Sequence, residues 1–286
     1  MKIVASGITG FIGSYLKTEF VVNRGWQVEA LRTDDFSLPD DEFLKKLNGA
    51  DVIINLAGAT ISARWTEDYK KLLYSSRIDT TRKIVGAIAK LKKKPKLFIS
   101  ASAVGRYAAE GVHTEEKGVY ATDFLGRLAE AWEAEALKAA DAGVRTVIFR
   151  FGVVLGPGGG LLAKLMLPFR LGLGGTIGDG KQPCSWVHIR DIADAFLAAI
   201  DNTKFSGIYN LTAPNPTTNG GLTKAIGGAL HRPTIFRIPK LALRLKFGEG
   251  AETFASGQSV LPKRLLDAGF RFSFVTVEEA VRDIVK

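Results

Sequence analysis

A glycine-spaced turn near the start of the chain has the residue types and spacing of a phosphate-binding loop. It follows a short apolar strand at Lys2–Ser6 and precedes a helix that opens at Ser14. Glycine permits a tight turn at the first position, close approach of a pyrophosphate at the second, and packing of helix on strand at the third. The helix N-terminus adds unpaired N–H groups and a positive dipole end. The pattern predicts dinucleotide binding by Gly7, Thr9, Gly10, Phe11, Ile12 and Gly13.

The residue after the second predicted strand indicates which dinucleotide is bound. This strand covers Gln27–Leu31, and Arg32 follows it directly. A guanidinium here pairs with a ribose 2′-phosphate, whereas a carboxylate would accept hydrogen bonds from a free 2′-hydroxyl. We therefore predict NADP(H) as the cofactor. Asp34 and Asp35 follow so closely that a register error of about two or three residues would instead predict NAD(H).

A third strand, predicted at Asp51–Ala57, ends in small residues. Leu56, Ala57 and Gly58 would let the adenine-ribose part of a dinucleotide lie close to the backbone. A tight strand-to-loop turn without any ligand would have the same composition. The sequence leaves both interpretations open.

The elements that position these residues alternate between strands and helices. Further β-branched runs predict strands at Lys96–Ser100 and Val144–Phe149. Helical periodicity covers residues 66–91 and 123–142, with Asp123 as the N-cap of the second helix. Strands that alternate with helices indicate an α/β fold with a parallel sheet.

The composition changes near residue 156, where glycine and proline become frequent. This change predicts a smaller, loop-rich region attached to the sheet. We therefore expect a cofactor domain at residues 1–155, to which residues 185–212 return. The smaller substrate-binding region would comprise residues 156–184 and 213–286. A cleft between the two would face the carboxyl ends of the strands.

Composition argues against several classes of protein. No run of about 18 apolar residues predicts a membrane-spanning helix, and three scattered histidines predict no zinc site. Cys184 is the single cysteine, which excludes an internal disulfide and suits a reducing cytoplasm. The net charge is +10, and its densest cluster, residues 90–96, lies at a predicted helix end, where the dipole favours cations. No nucleic-acid motif accompanies it, so we expect no metal, membrane or nucleic-acid partner.

Four motifs together resemble the extended short-chain dehydrogenase/reductase superfamily, which includes nucleotide-sugar epimerases and dehydratases. They are Gly7–Gly13, Asn55–Gly58, Ser100–Val104 and Trp186–Asp191. The resemblance extends over nearly the whole chain and implies a Rossmann doubly wound parallel sheet. More narrowly, the chain is similar to an atypical epimerase-like branch of unsettled function, some members of which are called cell-division inhibitors. That similarity rests on residues 55–61, 64–65, 76–77, 167–175 and 269–272.

The chain departs from the superfamily at the residues that transfer protons. Active members carry a serine or threonine, a Tyr-x-x-x-Lys pair and often an asparagine on the preceding helix. The tyrosine exchanges a proton, and the lysine lowers its pKa. The resemblance places Ser102 at the serine and Ser100 among the cofactor contacts, but Phe124 and Leu128 at the tyrosine and lysine. The asparagine position falls on Arg77, which would hold a substrate anion or carbonyl, or else pair with a neighbouring acid.

If the protein is an enzyme, a replacement acid or base must come from elsewhere. Tyr107, five residues after Ser102, is the first candidate, followed by Tyr120 and Glu115. Each has the alternative of being an ordinary loop residue. His188 is expected to be a hydrogen-bonded core residue.

Two groups of residues are candidates for binding the substrate. Arg64 and Trp65 would clamp a flat or anionic ligand, with packing of the tryptophan as the alternative. Specificity would come from the later region, with the polar residues Lys164, Arg170, Lys181 and Gln182.

These features predict an NADP-dependent oxidoreductase or epimerase-like enzyme that acts on a small polar substrate. The alternative is an NADP(H)-binding sensor without turnover. The loss of both tyrosine and lysine favours the sensor, and the retained serine and substrate region favour the enzyme. The sequence leaves open the identity of the substrate and whether the chain forms a homo-oligomer.

Overall fold

The computed structural model describes all 286 residues of the chain. Its strands are β1 (Lys2–Ser6), β2 (Gln27–Leu31), β3 (Val52–Asn55), β4 (Leu97–Ala103), β5 (Val112–His113), β6 (Arg145–Phe151), β7 (Val153–Leu155), β8 (Gly175–Ile177), β9 (Pro183–Cys184), β10 (Trp186–His188), β11 (Gly207–Leu211), β12 (Thr217–Thr218), β13 (Phe236–Ile238) and β14 (Ser259–Val260). Its α-helices are α1 (Phe11–Thr18), α2 (Asp40–Leu47), α3 (Glu67–Ser75), α4 (Ile78–Lys90), α5 (Phe124–Asp141), α6 (Gly160–Arg170), α7 (Ile189–Asp201), α8 (Asn219–Leu230), α9 (Lys240–Phe247), α10 (Glu252–Ala255), α11 (Lys263–Asp267) and α12 (Val277–Val285).

Six parallel strands form the central sheet, in the order β11-β6-β4-β3-β1-β2. Every residue of β3, and all of β4 except its last residue, is buried, because helices cover both faces of the sheet. The predicted α/β fold class with a Rossmann-like parallel sheet is confirmed. β3 ends at Asn55, two residues before the predicted end, and β4 continues beyond its prediction to Ala103.

Two apolar layers hold the helices on the sheet. On one face, Leu16 of α1 and Phe196 of α7 pack into a common cluster with the strands. On the other face, Phe43 of α2, Ile84 of α4 and Ala136 of α5 form a second cluster. This burial of one apolar stripe per helix explains why the helical periodicity was readable in the sequence.

The single helix predicted over residues 66–91 is two helices, α3 and α4, which separate at Ser76 and Arg77. No glycine or proline marks the break. It is stabilised instead by the loop after β3, where the backbone N–H of Ala59 donates to the Ser76 hydroxyl at 3.0 Å. The guanidinium of Arg77 donates to the Ala59 carbonyl at 3.0 Å. A tertiary contact therefore ends α3, and no local signal announces it.

Short two-stranded pairs extend beyond the central sheet. β7 pairs with β10, β8 with β13, β9 with β12 and β5 with β14. A separate apolar cluster between α6, α8 and α12 includes Trp186 and Leu222. None of the helices combines the length and apolar character that crossing a membrane requires.

Candidate functional site

The turn after β1 contains two glycines that admit no side chain. Gly7 has a φ of +66°, and a Cβ there would lie 2.6 Å from the carbonyl carbon of Leu56. A Cβ on Gly13 would lie 2.3 Å from the carbonyl oxygen of Gly7. Because α1 begins directly after Gly10, the N–H groups of its first turn have no partner within the helix. Thr9 and Gly10 are exposed beside these groups, which suit an anion.

The Phe11 ring packs against the glycine-rich loop that follows β7. A Cβ on Gly159 would lie 2.1 Å from Phe11 Cδ2, and one on Gly156 would lie 2.9 Å from Phe11 Cζ. These contacts bring the loop over the start of α1. The Phe11 side chain is therefore used for packing, so that only its backbone, like that of Ile12, could contact a phosphate.

The crevice beside this turn lies between the carboxyl ends of β1 and β3. β2 pairs with one side of β1 and β3 pairs with the other, which makes this a topological switch point. Ligands of open α/β sheets bind at such points. Leu56 and Ala57 are half-buried at this edge, and Gly58 is exposed.

The end of β2 distinguishes Arg32 from its acidic neighbours. Asp35 is buried, accepts the backbone N–H of Arg32 at 2.8 Å, and pairs with Lys46 at 2.9 Å. Its carboxylate therefore serves the local turn. The side chains of Arg32 and Asp34 are both exposed. Asp35 is therefore not free to contact a ribose. Arg32 and Asp34 remain accessible, and Arg32 is the predicted contact.

Arg77 is held by carbonyl groups at the same edge of the sheet. Its guanidinium donates to the carbonyl oxygens of Leu73 at 3.2 Å and Ala59 at 3.0 Å. It also lies against Gly58, where a Cβ would be 3.0 Å from Arg77 Cζ. Burial lowers the pKa of the Arg77 guanidinium to about 10, which still leaves it charged at neutral pH.

No carboxylate balances the Arg77 charge. Asp79, the neighbour considered as a partner, pairs with Arg82 at 2.8 Å, so an Arg77–Asp79 pair is not formed. The guanidinium instead lies over the indole ring of Trp132, 5.4 Å from its centroid. No motif in the sequence indicates a role for Trp132.

Apolar packing fills the positions of the missing tyrosine and lysine. Phe124 packs edge-on against Trp65 with ring centroids 5.4 Å apart, and Leu128 is buried one turn later on α5. Neither side chain can exchange or tune a proton. The structure therefore supplies no substitute for the proton-transfer pair at these two positions.

The Arg64–Trp65 pair joins two parts of the chain. Trp65 is buried, and its indole N–H donates to the Ile61 carbonyl at 3.0 Å. Arg64 donates to the carbonyl of Leu245 on α9 at 2.7 Å. These contacts match the packing alternative for Trp65.

Ser102 lies in a buried polar network. Its hydroxyl donates to Glu133 Oε1 at 2.6 Å, and the Glu133 carboxylate accepts two bonds from Arg150, at 2.7 and 2.6 Å. Arg150 also donates to the Tyr107 hydroxyl at 2.6 Å. All four residues are buried. Burial also raises the pKa of the Tyr107 hydroxyl. The hydroxyl groups of Ser102 and Tyr107 are therefore inaccessible to a substrate in this structure.

The remaining hydroxyl and carboxyl candidates have different surroundings. Glu115 accepts the backbone N–H of Asn210 at 2.8 Å, which gives it a structural contact. Tyr120 is exposed, with the Arg106 guanidinium 4.0 Å from its ring centroid. Ser100 is fully buried within β4. Of this group, Tyr120 is exposed, Glu115 is half-buried and Ser100 is enclosed.

The four later polar residues differ in exposure. Lys164, Arg170 and Lys181 are exposed. Gln182 is half-buried, and its Oε1 is a buried acceptor without a partner. The structure therefore singles out Gln182 among these four.

Three important polar residues had weak signals in the sequence. Asn55 is buried, accepts from the Ser6 hydroxyl at 2.6 Å, and donates to Thr81 at 2.8 Å. Arg150 interrupts the apolar run of β6, and a buried arginine requires a buried partner. That interruption was the available signal for the Arg150–Glu133 pair.

The chain matches family models over most of its length. Residues 3–212 match the NAD dependent epimerase/dehydratase family, and residues 238–284 match a domain of unknown function (DUF1731). The protein therefore belongs to the NAD dependent epimerase/dehydratase family. This confirms the resemblance inferred from its motifs.

Individual relatives cover the whole chain. The epimerase family protein YfhF of Bacillus subtilis (strain 168) is 38% identical over 100% of this chain and 98% of its own. The epimerase family protein SDR39U1 of Bos taurus is 37% identical over 100% of both chains. The crystal structure of human SDR39U1 (isoform2) with NADPH has a TM-score of 0.92 at 34% identity, covering 100% of this chain and 99% of that chain. The UDP-glucuronic acid 4-epimerase of Bacillus cereus, 17% identical with a TM-score of 0.81, shares the fold.

His188 is a core residue, as the sequence predicts. Its Nδ1 accepts the backbone N–H of Arg190 at 3.2 Å and caps α7, and its ring packs on Phe274 with centroids 3.9 Å apart. Burial lowers the pKa of the imidazole to about 4, although Asp283, 3.6 Å from Nε2, opposes this. The folded protein therefore holds His188 neutral at physiological pH.

Acid should destabilise the protein through His188. The unfolded chain binds a proton near pH 6.5 and the folded chain only near pH 4, so this stability is complete above pH 6.5 and falls with pH below it. His188→Asn keeps an N-cap acceptor without the titration. Between about pH 7 and pH 5, urea unfolding should show wild type losing about 2 kcal/mol more than the variant. Burial raises the pKa of Asp191 to about 6. This carboxyl titrates in both proteins, so its contribution to the difference in stability cancels. Identical pH profiles would contradict the prediction.

Proposed function

We propose that the protein is an NADP(H)-dependent oxidoreductase or epimerase-like enzyme that acts on a small polar substrate. The turn at Gly7 and Gly13 carries the proposal, because both positions exclude a side chain beside unpaired helix N–H groups. The accessible Arg32 at the end of β2 supports the 2′-phosphorylated cofactor. The relative crystallised with NADPH supports the same choice. The lone Cys184 is in keeping with a cytoplasmic location.

The residues suited to hold the cofactor follow the edge of the sheet. The backbone from Gly7 to Gly13 would bind the pyrophosphate, and Arg32 would bind the 2′-phosphate. Residues 56–58 would lie along the rest of the dinucleotide, whereas the predicted contact from Ser100 is not available because that residue is fully buried within β4. A bound nicotinamide supplies or accepts a hydride.

The protein also positions the substrate against the cofactor. Holding the two reactants together lowers the activation barrier of the reaction. We propose that residues 156–184 and 213–286 cover the substrate, while residues 1–155 and 185–212 hold the cofactor. Arg77 would orient a polar group of the substrate from the edge after β3. A proton would come from solvent or from the exposed Tyr120, because Phe124 and Leu128 cannot transfer one.

A second candidate function is NADP(H) sensing without turnover. The apolar residues Phe124 and Leu128, together with the buried hydroxyls of Ser102 and Tyr107, favour it. NADPH oxidation in the presence of a library of small aldehydes, ketones and oxo acids distinguishes the two. Catalytic consumption of NADPH with any of them supports the oxidoreductase. Binding without consumption supports the sensor over the oxidoreductase, whereas an epimerase regenerates its cofactor and would instead be detected by inversion of its substrate.

Arg32→Ala should weaken NADPH binding by about 10- to 100-fold and leave NADH binding nearly unchanged. The reason is the loss of charge-assisted hydrogen bonds to the 2′-phosphate, which the second cofactor lacks. Calorimetric titration of both cofactors checks this. Arg24→Ala is the matched control, since it removes one exposed arginine, paired with Asp201 on the surface. Tighter binding of NADH than of NADPH to the wild-type protein would refute the choice of cofactor.

A further inference from the structure

A buried indole N–H without an acceptor lies next to the Arg77 cation. Trp132 is only 7% exposed, and its Nε1 has no hydrogen-bond partner. Leaving a buried donor unpaired costs free energy, so native proteins seldom do so without a ligand or water at that place. The Trp132 ring is the surface on which the Arg77 guanidinium rests, 5.4 Å from the centroid.

Arg77 has unused hydrogen-bonding capacity as well. Of its five N–H donors, one is taken by the Leu73 carbonyl and one by the Ala59 carbonyl. The other three have no protein acceptor. Two carbonyl groups and an aromatic face solvate the half-buried cation without neutralising it. A charge that is partly removed from water gains from a counterion.

The contact of Arg77 with Gly58 places the pair beside the carboxyl end of β3. Trp132 lies one helical turn after Leu128, the residue at the position of the superfamily's lysine. Arg77 comes from the start of α4 and lies against Gly58, at the carboxyl end of β3. A cation thus reaches this part of the site from a different helix.

We propose that Arg77 and Trp132 together bind the carboxylate group of a small anionic substrate. The proposal rests on the proposed function, because it names the substrate class of the same crevice. One carboxylate balances the single positive charge of the half-buried Arg77, whereas a phosphate dianion would leave a negative charge uncompensated. A carboxylate has two oxygens and can accept from the guanidinium and the indole together. Phe124 and the buried Trp65 belong to the same apolar cluster as Trp132, and this close packing favours a small molecule.

The indole N–H of Trp132 provides a direct test. The chain has four tryptophans, so ¹⁵N-labelled protein gives four indole signals, and Trp132→Phe identifies the one that matters. With saturating NADP⁺, pyruvate should shift this signal saturably, whereas butane-2,3-dione, in which a methyl group replaces the carboxylate, should not. No shift with pyruvate, an equal shift with the dione, or a shift with inorganic phosphate alone would overturn the proposal.

Two variants separate the anion site from the cofactor site. Arg77→Met should weaken pyruvate binding about tenfold or more. Arg82→Met removes a cation from the same helix and should change little, since Arg82 pairs with Asp79 on the surface. NADP⁺ affinity should stay near wild type in both. Failure of the wild-type protein to bind NADP⁺ would refute the proposed function. Equal binding of pyruvate by Arg77→Met and Arg82→Met would refute only the anion site.

Discussion

Glu133→Ala should reduce the free energy of unfolding by about 3–5 kcal/mol, the cost of leaving a buried charge without its partner. The Arg150 guanidinium would lose two hydrogen bonds, of 2.7 and 2.6 Å, in a fully enclosed place. The Ser102 hydroxyl would lose its acceptor at the same time. Because this network joins β4, β6 and α5, we expect lower cooperativity as well. Urea unfolding followed by circular dichroism measures both effects.

Glu135→Ala is the matched control for this change. Glu135 is on the same helix, two residues later, and is also buried, but its partners Arg82 and Lys138 are more than half exposed. Its removal leaves no cation stranded in the core, so the cost should be below about 1 kcal/mol. Equal losses in the two variants would show that the burial of Arg150 does not set the cost.

Gly7→Ala should lower NADPH affinity on the order of 100-fold or more, through loss of about two charge-assisted bonds from the turn to the pyrophosphate. The new Cβ would lie 2.6 Å from both the carbonyl carbon and the oxygen of Leu56, and these backbone atoms cannot rotate away. Either the turn after β1 or the end of β3 must move. Both border the crevice, so displacement of either one changes the phosphate site. Isothermal titration with NADPH measures the loss.

Gly25→Ala controls for backbone strain alone. Gly25 has a φ of +64°, close to the +66° of Gly7, but nothing lies within 4 Å of its added Cβ. Alanine at such a φ costs about 1–2 kcal/mol of stability, and NADPH affinity should be unchanged. If Gly7→Ala and Gly25→Ala bind NADPH equally well, the close approach of Gly7 to β3 has no part in cofactor binding.

The sequence was most informative where a structure is determined by neighbouring residues. The first strand, its glycine turn and the helix after it depend on apolar runs and on glycine conformations, and β1 occupies its predicted residues. Asp123 caps α5 by accepting the N–H of Gly126 at 2.8 Å, as predicted. Such features involve residues within a few positions of each other, and composition and spacing report them directly.

The spacing of residues in the sequence does not show whether the candidate proton-transfer groups are accessible to a ligand. Whether a hydroxyl faces a ligand or the core depends on partners far away in sequence. The Tyr107 hydroxyl lies 3.0 Å from Asn210, 103 residues later, and Ser102 meets Glu133, 31 residues later. No local pattern specifies these pairs. Folding brings them together when α5 packs on the sheet and β11 pairs with β6.

The sequence by itself therefore determined the family, the sheet and the glycine turn, and it showed that the tyrosine and lysine were missing. Only the tertiary structure decided which polar groups are enclosed and which remain unpaired. In the structure, the single predicted helix is divided at Ser76 and Arg77. The Arg77 guanidinium lies on the indole of Trp132, 55 positions further along the chain. The physical reason is that backbone preferences act between neighbours, whereas burial and charge compensation depend on every element that packs around a side chain.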